Sequence, residues 1–235
     1  MATFSQESLE LRRKLAYACR ILAAHGQNDA IFGHVTHRQP GAETFWMKPA
    51  EMGLDEMTPE TAILLNLDGE ELAGNLPRHL EYPIHTEIFR VHPKITCVIH
   101  THPPYSIAFA ATMQPLRSVS HEGCMFTPPD VPRFTLTSNL ITTRELGQAV
   151  ATTLGESTAC YLVNHGIVVA ATSIERAVVA ALNLERASQI QLLAASAHPQ
   201  FHWTADQESL AKRNMYHSAA IQNTWNYYCR RIGPL

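Results

Sequence analysis

The chain has 235 residues, of which 46% are hydrophobic and 17% are charged, and its formal net charge at pH 7 is −3. This composition is typical of a soluble globular protein with one sizeable core and excludes an intrinsically disordered chain. The charge balance offers no basic face for nucleic acid, and no apolar run approaches the length of a membrane span. Five cysteines without paired spacing, and an N-terminus without a signal-peptide pattern, predict a cytoplasmic protein with reduced thiols.

The first half of the chain predicts helices and short strands in alternation. Residues 5–25 are predicted to form a helix, because apolar residues recur at helical spacing and Gly26 follows as a C-cap glycine. Residues 32–38 predict a strand, and residues 62–67 predict another that ends at a turn. A helix is predicted to begin near Glu81, with Pro83 in its first turn. His85 on this helix is predicted either to hydrogen-bond Glu81 or, as we favour, to be a core histidine.

Two histidines stand where the next predicted strand ends. Residues 96–99 are β-branched and apolar, and alternation along a strand directs His100 and His102 to the same face. Cys97 is directed to the opposite face, which predicts a core residue. Two imidazoles on one face can bind one metal ion, although a histidine pair of this kind is a weak signal and ordinary strand-end histidines are the commoner explanation.

A third histidine follows in a predicted turn. Residues 161–170 predict two strands joined by a tight turn, with His165 at its tip. Three histidines leave one coordination position for a substrate, which is typical of catalytic zinc. Residues 142–154 and 174–197 predict helices. The segment from residue 199 is rich in Trp and Tyr, which predicts docking on its own core or on a neighbouring subunit.

These motifs resemble the signature of the class II aldolase/adducin family, in order and in spacing, over roughly residues 10–195. The resemblance implies an α/β fold, a three-layer α/β/α sandwich around a mainly antiparallel sheet, with a catalytic domain at residues 1–198 and an aromatic helical tail at 199–235. It implies that His100, His102 and His165 bind a divalent metal and that Glu81 is the acid/base carboxylate. Zinc is the expected metal, with iron, cobalt or manganese as alternatives. The family also implies a homotetramer with active sites at subunit interfaces.

Three departures from the family's sugar-phosphate aldolases concern the segments that surround a substrate phosphate. His34 replaces an Asn after Gly33, the loop after the next strand lacks its Ser-Gly, and basic residues replace a Ser-Ser before Glu81. Longer basic side chains suit a carboxylate better than a phosphate held by backbone donors. The predicted substrate-binding residues are therefore His34, Lys48, Arg78 and His79, although for Lys48 and His79 simple solvent exposure is the alternative.

The altered segments are similar to those of family members that decarboxylate dihydroxylated aromatic acids. The sequence therefore predicts a carboxy-lyase of aromatic catabolism, a metal-dependent non-oxidative decarboxylase of a small phthalate-type acid, in which Glu81 protonates the ring carbon. One alternative is an aldolase, an aldehyde-lyase acting on an unphosphorylated hydroxy-keto acid or a sugar phosphate. The other is an adducin-like structural module without chemistry. No nucleic acid or membrane is predicted as a partner.

Overall fold

The computed structural model describes residues 5–235, which contain one eight-stranded sheet. Its strand order is β4-β3-β2-β1-β5-β8-β7-β6. The strands are β1 (His34–His37), β2 (Thr44–Met47), β3 (Ile63–Asn66), β4 (Glu71–Ala73), β5 (Cys97–Thr101), β6 (Arg133–Phe134), β7 (Ala159–Leu162) and β8 (Gly166–Ala171). Neighbouring strands pair antiparallel except β6 and β7, which run parallel. The predicted α/β class is confirmed, and the sheet is mixed.

Helices cover both faces of the sheet. They are α1 (Gln6–Leu22), α2 (Tyr82–Val91), α3 (Pro104–Ala111), α4 (Arg144–Leu154), α5 (Ile174–Ala197), α6 (Asp206–Arg213) and α7 (Ser218–Ile232). One buried cluster joins α1, α3, α5 and α7 to the sheet, and the other joins α2 and α4 to its opposite face. Strand alternation divides the two clusters, since Val98 packs toward α2 while Cys97 and Ile99 pack on the other side. Cys97 is thus a core residue, as predicted.

The end of α1 brings the following loop to the tip of β5. The helix continues as a wider turn over Ala23–Gln27, in which Gly26 has φ of 80°, a conformation that favours glycine. The buried Gln27 donates to the Ala181 carbonyl and accepts a hydrogen bond of 2.7 Å from Thr101. Residues 28–33 therefore lie beside the end of β5, where His102 follows.

The C-terminal helix packs on the helices of its own chain. Trp225 on α7 is buried and meets Tyr17 of α1 edge-on, with ring centroids 6.5 Å apart. Arg176 donates to the Tyr216 carbonyl at 3.0 Å, which joins α5 to the segment before α7. The domain boundary at residue 198 stays a prediction. No helix within residues 5–235 has the length and apolar character needed to cross a membrane.

Candidate metal centre

The rings of His100 and His102 meet at the end of β5, with their Nε2 atoms 3.1 Å apart. Nδ1 of His100 lies 2.9 Å from the Ile167 carbonyl oxygen, and Nδ1 of His102 lies 2.9 Å from Oδ2 of Asp29. Carbonyl and carboxylate oxygens only accept hydrogen bonds, so each Nδ1 carries the hydrogen. In the neutral rings both Nε2 atoms then present lone pairs, and these lone pairs face each other.

His165 reaches the same point from the turn between β7 and β8. Asn164 has φ of 60°, and Gly166 packs against β5 so closely that a Cβ there would lie 2.5 Å from the Thr101 carbonyl oxygen and 2.8 Å from the His102 ring. Glycine therefore permits the close approach of the turn to His102. Nδ1 of His165 is buried and has no hydrogen-bond partner among the residues that the structure describes.

Glu81 immediately precedes α2 and directs its carboxylate between the three rings. Oε1 accepts a hydrogen bond of 2.8 Å from the Ile141 backbone and lies 3.7 Å from Nε2 of His165. Oε2 lies 3.6 Å from Nε2 of His100 and 3.8 Å from Nε2 of His34. The N–H that Ile141 donates to Oε1 favours the ionised form of the carboxylate.

The four side chains form a set of acceptors that suits a cation. One potential ligand atom from each of Glu81, His100, His102 and His165 lies within 4.8 Å of the others. Burial, followed by the neighbouring His100, lowers the pKa of His165 to about 4 and also lowers the pKa of His102. Neutral imidazoles and an ionised carboxylate are the protonation states that bind metals, and this donor set fits zinc, iron, cobalt or manganese.

Of the predicted substrate-binding residues, His34 lies against this cluster. Its ring centroid is 4.9 Å from that of His100, and its Nδ1 lies 2.6 Å from Nε2 of His85. His79 stands behind it, with ring centroids 4.6 Å apart. Burial lowers the pKa of His34 well below its ordinary value and the pKa of His79 to about 3. Both rings are neutral at physiological pH, which corrects the expectation that they act as cations.

Lys48 and Arg78 use their charged groups elsewhere. Nζ of the fully buried Lys48 donates to the carbonyls of Ile31 and Pro49 at 2.9 and 3.1 Å, and burial lowers its pKa to about 8. Arg78 donates to the Gly69 carbonyl at 2.7 Å and lies over the Tyr82 ring. Lys48 is therefore not solvent-exposed, the alternative that the sequence left open. The structure directs both cationic groups to protein partners, and contact with substrate stays a prediction for them.

The site also contains contacts that sequence reasoning missed. Asp29 is 73 positions from His102, and Ile141 is 60 positions from Glu81. No local motif marks either residue, because each acts through a contact that exists only after the sheet has formed. His85 was expected to reach Glu81 or to be a core histidine; it is buried and contacts His34.

Residues 13–192 match the family described as Class II Aldolase and Adducin N-terminal domain, and the chain belongs to this family. It is 34% identical to the Meiotically up-regulated gene 14 protein of Schizosaccharomyces pombe, over 81% of this chain and 77% of the relative. It is 29% identical to 3,4-dihydroxyphthalate decarboxylase of Arthrobacter keyseri, over 94% of this chain and 93% of the relative. The structure of L-fuculose 1-phosphate aldolase from Glaciozyma antarctica superposes with a TM-score of 0.85 at 26% identity, covering 99% of this chain and 93% of the aldolase. Decarboxylases and aldolases both cleave carbon–carbon bonds, so these relatives support a lyase of the class II aldolase type.

Proposed function

We propose that this protein is a metal-dependent decarboxylase of a dihydroxylated aromatic acid of the phthalate type. The observation that carries the proposal is the cluster of three imidazoles facing one ionised carboxylate, with neutral His34 beside it. The near full-length similarity to 3,4-dihydroxyphthalate decarboxylase supports the choice of substrate class.

His100, His102 and His165 would hold the metal, and Glu81 faces the same point. A divalent ion held there would supply Lewis-acid chemistry, which stabilises negative charge on a substrate. Glu81 takes a proton from a substrate hydroxyl and delivers it to the ring carbon from which carbon dioxide has left, and the phenolate oxygen that remains regains a proton from water. The Ile141 backbone holds Oε1, so Oε2 is the oxygen better placed to move the proton.

Three exposed apolar side chains stand close in sequence to residues of the site and would suit an aromatic ring. Phe32, Leu80 and Leu140 are each more than half exposed. Leu80 precedes Glu81, Leu140 precedes Ile141, and Phe32 stands two residues before His34. An aromatic substrate, or a neighbouring copy of the chain, would cover this apolar surface.

The positions of the charged groups of Lys48 and Arg78 argue against a phosphate ester as the substrate. A phosphate needs several close donors, often backbone N–H groups at a glycine-rich turn. Here Lys48 is committed to backbone carbonyls, and the Arg78 guanidinium lies against Gly69 and Tyr82. The aldolase alternative is favoured by the structural similarity to L-fuculose 1-phosphate aldolase.

We propose a homotetramer in the cytoplasm, with a zinc ion in each site and with the sites at subunit interfaces. The exposed Phe32, Leu80 and Leu140, which lie close in sequence to His34, Glu81 and Ile141, are consistent with such an interface. Light scattering of the purified protein measures the assembly, and a monomer under assay conditions contradicts it.

Product analysis separates the candidate functions. Metal-loaded protein is incubated with 3,4-dihydroxyphthalate, and in parallel with L-fuculose 1-phosphate, while carbon dioxide and aldehyde are measured. We expect carbon dioxide from the first substrate and none from Glu81→Gln, whose amide cannot transfer the proton. Aldehyde release from the sugar phosphate alone overturns the proposal in favour of an aldolase. A protein that binds no divalent metal supports the structural module.

A further inference from the structure

Behind the metal centre, a chain of hydrogen bonds runs from His34 into the core. Nδ1 of His34 lies 2.6 Å from Nε2 of His85, and Nδ1 of His85 lies 2.8 Å from Oγ1 of Thr36. The Thr36 hydroxyl also donates to the Val98 carbonyl at 3.3 Å. His34, His85 and Thr36 are all buried, with at most 2% of each residue exposed.

The Val98 carbonyl, at the end of this series of hydrogen bonds, indicates which nitrogen of His85 and of His34 carries hydrogen. A carbonyl oxygen only accepts, so a Thr36 hydroxyl that gives its one hydrogen to Val98 is left to accept from Nδ1 of His85. Nε2 of His85 then carries a lone pair and accepts from Nδ1 of His34. Nε2 of His34 is left with its own lone pair, 3.8 Å from Oε2 of Glu81.

The reversed arrangement satisfies fewer contacts. If Thr36 donates to Nδ1 of His85, the hydroxyl has no hydrogen for the Val98 carbonyl 3.3 Å away. His34 would then carry its hydrogen on Nε2. With hydrogen on Nδ1 of both His34 and His85, all three contacts are hydrogen bonds and both rings are neutral. Buried side chains favour such a fully paired, uncharged arrangement.

Two acceptors, Nε2 of His34 and Oε2 of Glu81, consequently face each other at 3.8 Å, too far apart for a direct hydrogen bond. A group that fits between them carries a hydrogen of its own, as a substrate hydroxyl does. A substrate carboxylate or phosphate ester without a proton would meet two lone pairs there and be repelled.

We propose that Thr36 and His85 are positioning residues that fix the tautomer of His34, so that its Nε2 accepts a hydrogen bond from a hydroxyl of the substrate beside Glu81. The inference rests on the proposed function and makes it more specific. Of the two neighbouring hydroxyls of a dihydroxylated acid, one is recognised by His34 as a hydrogen-bond donor. His34 would thus select for a free hydroxyl instead of supplying positive charge to a carboxylate.

The tautomer can be measured without turnover. Nitrogen NMR of the metal-loaded protein, labelled with ¹⁵N-histidine, distinguishes a ring nitrogen that carries hydrogen from one that does not, and His34→Asn identifies the signals of His34. We expect hydrogen on Nδ1 of both His34 and His85. Hydrogen on Nε2 of His34 overturns the inference, whatever the substrate proves to be.

The second measurement is binding and turnover by Thr36→Val, which removes the hydroxyl with little change of shape. Loss of one hydrogen bond predicts a KM for 3,4-dihydroxyphthalate that rises about 3- to 10-fold, with metal content unchanged. Thr36→Ser restores the hydroxyl and should restore KM even if Thr36→Val folds poorly. Thr86→Val is the matched control, since Thr86 is a buried threonine on α2 whose hydroxyl contacts the Pro83 carbonyl of its own helix.

Methyl ethers of the substrate test whether His34 binds a free hydroxyl, because methylation removes the hydrogen that Nε2 of His34 would accept. We expect wild-type protein to bind one of the two monomethyl ethers of 3,4-dihydroxyphthalate more weakly than the parent acid, and Thr36→Val to discriminate less. Equal KM values for wild type and Thr36→Val contradict the inference. Binding of the acid without release of carbon dioxide contradicts the proposed function alone, and the nitrogen spectrum then still decides the positioning role.

Discussion

Oδ2 of Asp29 lies 2.9 Å from Nδ1 of His102, although 73 positions separate the two residues in the sequence. The contact places the His102 hydrogen on Nδ1 and directs Nε2 toward His100. Loss of such a partner lowers metal affinity by roughly 10- to 100-fold in other sites. We therefore expect Asp29→Ala to weaken binding of zinc within that range in competition with a coloured chelator. Asp206→Ala, an exposed carboxylate in the first turn of α6, should leave the affinity unchanged.

The three imidazoles should each be required for metal binding. His165→Ala removes a ring whose Nε2 lies 3.7 Å from Glu81, and we expect the metal content of the purified variant and its turnover to fall together. His198→Ala changes an exposed histidine after α5 and serves as the control. Full metal occupancy and full turnover in His165→Ala would remove this residue from the ligand set.

Gly166 offers a test that changes no ligand. A methyl group there would lie 2.8 Å from the His102 ring and 2.5 Å from the Thr101 carbonyl, so the turn must move away from β5. We expect Gly166→Ala to lower metal affinity about 10-fold or more, measured by chelator competition. Gly41→Ala is the control, because its φ of 73° adds backbone strain while no atom lies within 4 Å of the added methyl. If both variants bind metal like the wild type, the close approach is not needed.

Arg78 should stabilise the hairpin of β3 and β4. Its side chain donates to the Gly69 carbonyl and covers the Tyr82 ring, with the guanidinium carbon 4.1 Å from the ring centroid. We expect Arg78→Ala to lower the free energy of unfolding by about 1 kcal/mol while KM stays unchanged. Urea denaturation and steady-state kinetics measure the two quantities. A rise in KM without loss of stability would instead return Arg78 to the substrate-binding residues that the sequence predicted.

His37 should make stability depend on pH at a point distant from the metal centre. Its Nδ1 lies 3.0 Å from the Thr96 carbonyl, and burial lowers its pKa from 6.5 to about 4. Because the pKa is lower in the folded state, the unfolded chain binds the proton first as pH falls. The contribution of His37 is present above pH 6.5 and is lost as the pH falls toward 4.

The variant His37→Gln isolates this contribution. We expect its loss of unfolding free energy between about pH 7 and about pH 4.5 to be smaller than that of wild type, by up to roughly 2 kcal/mol. Urea unfolding at both pH values measures the difference. Identical losses in the two proteins would show that His37 is not the titrating group.

The sequence by itself determined the α/β class, the membership of the family and the four residues of the candidate metal centre. Apolar periodicity predicts the elements, strand alternation directs His100 and His102 to one face, and Asn164 and Gly166 form the turn that presents His165. The family and the role of Glu81 follow from the resemblance of these motifs to the class II aldolase/adducin signature. The sequence also placed Cys97 in the core, since strand alternation directs it away from His100.

Only the tertiary structure decided what surrounds those residues and how they are charged. Sequence suggested that His34 and His79 are basic groups facing a carboxylate, whereas burial makes both rings neutral and turns Lys48 toward backbone carbonyls. The contacts of Asp29 with His102 and of His34 with His85 join distant segments. Desolvation and long-range contacts arise when the sheet and its helices pack together, so no pattern within a short stretch of sequence could have specified them.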